Sequence, residues 1–135
     1  MRSIFIDTGF IIALESATDQ NHEKASQLWN ELLKDLPVMV TTTYVIDEIV
    51  TFFSSRSRHA KAVEIGNRLM NSRSVQVIHV DKGLFEKGWH YFQQHDDKTY
   101  SMTDCISFMV MKDEGNESAL SFDKHFTQAG FKLLP

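Results

Sequence analysis

Four acidic side chains carry the chemical interest of this 135-residue sequence: Asp7, Glu48, Asp104 and Asp123. Asp7 follows the apolar run SIFI and Asp123 follows SALSF. Glu48 lies early in the helix-like stretch after PVMVTT, and Asp104 sits near the start of MTDCISFMVM. In open parallel α/β sheets, sites form beyond the carboxyl ends of strands, where loops and helix N-termini converge. Asp7, Glu48 and Asp123 fall at such positions; Asp104 follows a loop instead. Carboxylates gathered at one edge repel each other, and some stay protonated at neutral pH unless a cation compensates them. All-oxygen ligation favours hard ions, Mg2+ or Mn2+. A carboxylate cage around such an ion suits phosphodiester hydrolysis, because the ion activates water and neutralises the non-bridging and leaving oxygens.

Each acid also has a purely structural use. Asp7 can cap the helix that follows it. Asp104 can close a capping box with Ser101, since SMTD matches the pattern. Asp123 can start the turn after its strand. Glu48 is harder to explain this way. It lies three residues after Val45 and four before Phe52, flush with an apolar stripe, whereas Asp47 lines up with Thr43, Val50, Thr51 and Ser54. A carboxylate aimed inward is costly without a cation or hydrogen bonds. Asp7-Thr8-Gly9 also spells the triplet of aspartic proteases, but those enzymes are β-rich and need two triplets, while this chain is richer in helical segments. A phosphohydrolase with Asp7 as covalent nucleophile is a further alternative, although its usual second Asp is Gly9 here.

The elements that must position these acids alternate short apolar runs with longer stretches of helical period. Residues 3–6 predict a buried strand, and TGFIIALES a short helix directly after Asp7. In NHEKASQLWNELLKD, Ala25, Leu28, Trp29, Leu32 and Leu33 form a stripe with Asn21 as N-cap. PVMVTT predicts a second strand, TYVIDEIVTFFSS a helix striped by Val45, Ile49, Phe52 and Phe53, and HAKAVEIGNRLMNS another helix. SVQVIHV reads as a strand, with Asp81 capping the helix DKGLFEKGWHYFQQH. Leu84, Phe85 and Phe92 are expected on one face of that helix, which Gly83 and Gly88 weaken. MTDCISFMVMKDEG is apolar nearly all round, hence a buried helix stopped by Gly115. SALSF and FKLLP complete the strands. This alternation predicts one α/β domain over residues 1–135, with a largely parallel sheet covered on both faces.

The bulk properties narrow the class further. An excess of acids over bases gives a formal charge of −4, which argues against holding nucleic acid through the overall field. Locally, Arg56, Arg58, Lys61, Arg68 and Arg73 face only Glu64 between residues 54 and 74. Arg56, Arg58 and Lys61 are therefore candidates to steer a phosphate backbone at the rim of the site. The apolar runs are too short and interrupted to span a bilayer, and no signal peptide is expected. A single cysteine, Cys105, fits a reducing cytoplasm. The six histidines show no H-x-x-x-H spacing, so zinc fits poorly; His125, two residues after Asp123, is the one placed to approach substrate.

FIDTGFIIAL, TTTYVIDEIVTF, YSMTDCISFMVM and SFDKHFTQAGFKLL, in that order, resemble the four motifs of PIN-domain ribonucleases, especially the VapC-like toxins of toxin–antitoxin systems. The resemblance implies a three-layer α/β/α sandwich with a central, mainly parallel sheet. It also implies a Mg2+- or Mn2+-dependent endoribonuclease in which Asp7, Glu48, Asp104 and Asp123 hold the metal and leave 5′-phosphate and 3′-hydroxyl products. Thr8 and Ser121 match small polar residues that help orient ligands or phosphate. Gly9 stands where relatives more often carry a side chain. The partners implied are RNA, a small antitoxin protein and a second copy of the chain, with no membrane. A non-catalytic PIN-like module that binds RNA or protein is the remaining alternative; the intact acids at all four motifs oppose it.

Overall fold

The computed structural model describes residues 2–135. The chain runs β1 (Ser3–Ile6), α1 (Thr8–Glu15), α2 (His22–Leu32), β2 (Val38–Thr42), α3 (Thr43–Ser54) and α4 (His59–Asn71). It continues through β3 (Val75–Ile78), α5 (Lys82–Gln94), α6 (Met102–Glu114), β4 (Ser118–Leu120), α7 (His125–Gln128) and β5 (Lys132–Leu134). The five strands form one sheet in the order β3-β2-β1-β4-β5, and every pairing is parallel. From β1 the chain steps outward to β2 and β3, then crosses back to β4 on the other side of β1. With right-handed crossovers, that reversal places α1–α4 on one face and α5–α6 on the other. The α/β sandwich expected from the alternation is the observed architecture, and its topological switch point lies between β1 and β4.

Parallel strands buried on both faces must be apolar throughout, and Ile4, Phe5 and Ile6 are each at most 2% exposed. Phe126 from α7 packs edge-on against Phe108 from α6, ring centroids 5.1 Å apart, and lies 6.2 Å from Phe5. The last short helix is thereby locked onto the first strand. It is also the one helix the periodicity missed, because four residues are too few to show a period.

The caps follow the sequence closely. Asp81 accepts the Leu84 amide at 2.9 Å, Ser101 and Asp104 form a complete capping box, and Gly115 ends α6 in the left-handed conformation at φ 72°. Asn21 occupies the N-cap position of α2 without a side-chain capping bond. Two expectations about faces need correction. Leu33 is 53% exposed, at the edge of a stripe whose buried members are Ala25 and Leu32. On α5, Leu84 and Tyr91 pack on the core, whereas Phe85, Trp89 and Phe92 face outward at 39%, 47% and 39% exposure. Gly88 explains the turn of this helix: a Cβ there would sit 2.6 Å from Ile106 Cγ1. The glycine thus allows α5 to lie close on α6 and directs the opposite ridge to solvent.

Candidate active site

The switch point sets the position of the first and last acids. The Asp7 amide donates to the Leu120 carbonyl at 3.0 Å, so Asp7 extends the β1–β4 pairing by one residue before α1 begins. Ser121 leaves β4 beside it and donates its hydroxyl to Asp7 Oδ2 at 2.7 Å. The same hydroxyl oxygen accepts the Asp123 amide at 3.0 Å. One buried serine therefore joins the two acids carried by neighbouring strands. Asp7 stands at the N-cap position of α1 but caps nothing with its side chain; its carboxylate is turned to Ser121 instead.

Glu48 and Asp104 arrive from helices. Glu48 is half-buried on α3, and its Oε1 accepts the Thr8 hydroxyl at 2.7 Å, while Asp47 is exposed on the outer face. The inward aim expected from the stripe is what brings Glu48 against α1. Asp104 does serve the capping box, accepting the Ser101 amide on Oδ2 at 3.0 Å. It also has a second neighbour: the same Oδ2 lies 3.1 Å from His125 Nδ1. That ring nitrogen is 3.2 Å from Asp123 Oδ1, and its Nε2 is 2.9 Å from the Thr99 hydroxyl. Asp7, Thr8, Gly9, Glu48, Ser101, Asp104, Asp123, His125, Thr99 and Phe122 line one open cleft of about 450 Å³. A more enclosed apolar cavity of about 190 Å³ lies between α1, α2 and α4. Its one carboxylate, Glu15, is already paired with Lys61 and Arg68.

The electrostatics of the cleft are those of acids short of a cation. Burial pushes the Asp7 carboxyl up from 3.8 to about 7, with the charges of Asp104 and Asp123 adding to the rise and the Ser121 hydrogen bond opposing it. Asp104 is raised as well, first by burial and then by Asp123, while the Ser101 amide and His125 hold it down. Oxygen donors of Asp104 and Asp123 and a ring nitrogen of His125 lie within 4.8 Å of one another, a spacing one cation can bridge. The cleft fits a divalent ion: Asp7 and Asp104 are driven towards neutrality when none is present, and a bound cation reverses that drive. Cys105, next to Asp104, has no such role. It is fully buried and its thiol is pushed up to about 11 by burial and by Asp104, so it stays protonated and packs.

The basic candidates lie elsewhere. Arg56 and Arg58 follow the end of α3 and are exposed. Ser57 between them takes the left-handed conformation at φ 59°. The guanidinium of Arg56 lies 3.7 Å above the Phe52 ring and that of Arg58 lies 5.5 Å from the Phe53 ring. Glu48 is six residues before the last residue of α3, or about 9 Å along its axis. Lys61 Nζ is 2.9 Å from Glu15 Oε1 at the far end of α1. None of the three lines the acidic cleft. Conversely, the cleft includes Thr99 and Ser101, to which the acid pattern gave no binding role. His125 was signalled only by its distance from Asp123 in sequence.

A family model described as PIN domain matches residues 4–132. The chain is 38% identical over 128 residues to the 23S rRNA-specific endonuclease VapC20 of Mycobacterium tuberculosis strain H37Rv, covering 95% of both proteins. The crystal structure of that protein, described as a sarcin–ricin-loop-cleaving toxin, superposes with a TM-score of 0.87 at 36% identity, covering 98% of this chain and 99% of that one. FitAcB from Neisseria gonorrhoeae shares the fold at a TM-score of 0.67 and 16% identity, over 98% and 96% of the two chains. A toxin–antitoxin complex from Klebsiella pneumoniae does so at 0.62 and 13%, over 90% and 87%. The chain belongs to the PIN-domain family, and within it to the VapC-like ribonucleases.

Proposed function

We propose that this protein is a divalent-metal-dependent endoribonuclease that hydrolyses phosphodiester bonds to 5′-phosphate and 3′-hydroxyl ends, acting as the toxin of a toxin–antitoxin pair. The single observation that carries the metal dependence is the cleft itself, in which Asp7, Glu48, Asp104 and Asp123 meet and the most buried of them is held near neutrality. Mg2+ or Mn2+ would be held by these acids and would supply Lewis acidity, acidifying water and neutralising charge on the phosphate. The protein's own part is positioning. Ser121 fixes Asp7, Thr8 fixes Glu48 and the α6 capping box fixes Asp104, so the carboxylates need no reorganisation when RNA arrives.

The substrate is ribosomal RNA by likeness to VapC20, and within it the sarcin–ricin loop. Arg56 and Arg58 present exposed guanidinium groups beyond the cleft for the RNA backbone; Lys61, paired with Glu15, is the least free of the three. The outward ridge of α5 suits a second copy of the chain. Phe85, Trp89 and Phe92 fall at three- and four-residue spacings like a coiled-coil seam. The remaining partner is a small antitoxin, and the place of action is the cytoplasm. Incubating the protein with 23S rRNA, with Mg2+, with Mn2+ and with chelator, tests the reading: a discrete cut requiring the metal is expected. Equal cutting by Asp7→Asn or Asp104→Asn would remove the site assignment.

A further inference from the structure

We infer that His125 is a nitrogen ligand of this metal centre and shifts its preference from Mg2+ towards Mn2+; the inference rests on the metal-dependent reading above. The imidazole Nδ1 stands 3.1 Å from Asp104 Oδ2 and 3.2 Å from Asp123 Oδ1. Adjacent ligands on an octahedral ion with bonds of about 2.1 Å are about 3.0 Å apart, so Nδ1 already stands from both carboxylate oxygens at the separation that neighbours on one ion require, and all three atoms lie within 4.8 Å of one another.

The ring is also held as a ligand is held. Its backbone amide donates to Asp123 Oδ1 at 2.9 Å, and its ring makes a T-shaped contact with Tyr100, centroids 5.4 Å apart at 84°. The second nitrogen, Nε2, lies 2.9 Å from Thr99 Oγ1. Metal-bound histidines almost always donate their other ring N–H to a hydrogen-bond acceptor, which fixes both tautomer and orientation, and the Thr99 hydroxyl oxygen stands where it can accept. With Nε2–H given to Thr99, Nδ1 turns a lone pair towards two carboxylate oxygens. Three electron-rich atoms facing one another are stable only with a proton or a cation between them, and the neighbouring acids supply the charge that attracts the cation. Magnesium prefers an all-oxygen shell rich in water, whereas imidazole nitrogen suits transition ions. One nitrogen in the set therefore penalises Mg2+ more than Mn2+.

Pulsed EPR on the full-length protein loaded with Mn2+ reads the ligand directly. The expected spectrum shows 14N coupling from one histidine in the wild type and none in His125→Gln. In parallel, calorimetry with Mn2+ and with Mg2+ alone should show the Mn2+ to Mg2+ affinity ratio falling about tenfold in His125→Gln. Thr99→Val should weaken Mn2+ binding while retaining the coupling. Mn2+ bound to the wild type without 14N coupling overturns the inference, even if the variants do not fold; so does coupling that survives in His125→Gln. In either case metal-dependent RNA cleavage would leave the nuclease reading standing. Absence of both Mn2+ and Mg2+ binding would remove the two together.

Discussion

Replacing Asp7 by Asn should stabilise the metal-free protein, and the size of the gain follows from where the residue sits. In the folded chain the carboxyl is raised from 3.8 to about 7, chiefly by burial. Between pH 4 and 7 the folded state therefore keeps a proton on Asp7 that the unfolded state has released, and stability is lost as pH rises through that window. At about 1.4 kcal/mol per tenfold change in proton affinity, the full loss reaches roughly 4 kcal/mol by pH 8. Asn carries no charge and still accepts from Ser121, so the substitution should recover much of this, about 2–4 kcal/mol, corresponding to roughly 10 °C in Tm for a chain of this size. The gain should halve near about pH 5.4 and vanish below about pH 4, where Asp7 is protonated in both states. Urea denaturation of both proteins in chelator, from pH 4 to 8, measures it. Saturating Mg2+ or Mn2+ should restore the wild type and help the variant little. A variant less stable than wild type at pH 8 without metal, or a difference that does not change with pH, would refute the reasoning.

Ser121→Ala removes the hydrogen bond that holds the Asp7 carboxyl down, so metal affinity should fall about 10- to 100-fold and the pH dependence of metal binding should move to higher pH, read by calorimetry. Gly88→Ala drives a methyl group into Ile106 and should cost about 1–3 kcal/mol in denaturant unfolding; an unchanged midpoint would mean that α5 does not need its close approach to α6. Joint replacement of Arg56 and Arg58 by Ala should weaken RNA binding and flatten its salt dependence by up to about two contacts, with an unchanged slope returning both residues to surface packing on Phe52 and Phe53. Trp89→Glu, on the outward ridge, should leave the protein monomeric in sedimentation while its circular dichroism stays unchanged.

The sequence carries the architecture because two different periods are written into it. SIFI and PVMVTT read as buried strands, and the stripes at Val45 and Ile49 or Ala25 and Leu32 read as helices, so alternation alone leads to the parallel sandwich. The cleft acids were legible for a different reason: Asp7 and Asp123 stand where apolar runs end, and Glu48 interrupts an apolar stripe that should not tolerate it. What stayed hidden depends on contacts between distant segments. Nothing in the spacing of Phe85, Trp89 and Phe92 says which side of α5 meets the core, because Gly88, the residue that decides it, looks from sequence like a weakness in the helix. Thr99 enters the cleft only through a ring nitrogen of His125, 26 residues away, and α7 is too short to announce itself. Ser121 reads as the end of a strand, yet its hydroxyl joins two acids 116 positions apart in the chain order set by Asp7 and Asp123.

That serine bridge gives the protein a rule of assembly. The bond between Ser121 and Asp7 spans 114 residues, and the strand that delivers it pairs directly with β1. No fragment lacking either end of that span contains the cleft, however well its helices form. During synthesis the carboxylates remain scattered until residues 121–125 have been added and folded back against β1. Until that point in its synthesis the ribonuclease has no assembled cleft. Long-range closure of this kind slows folding, and here the delay separates making the enzyme from arming it.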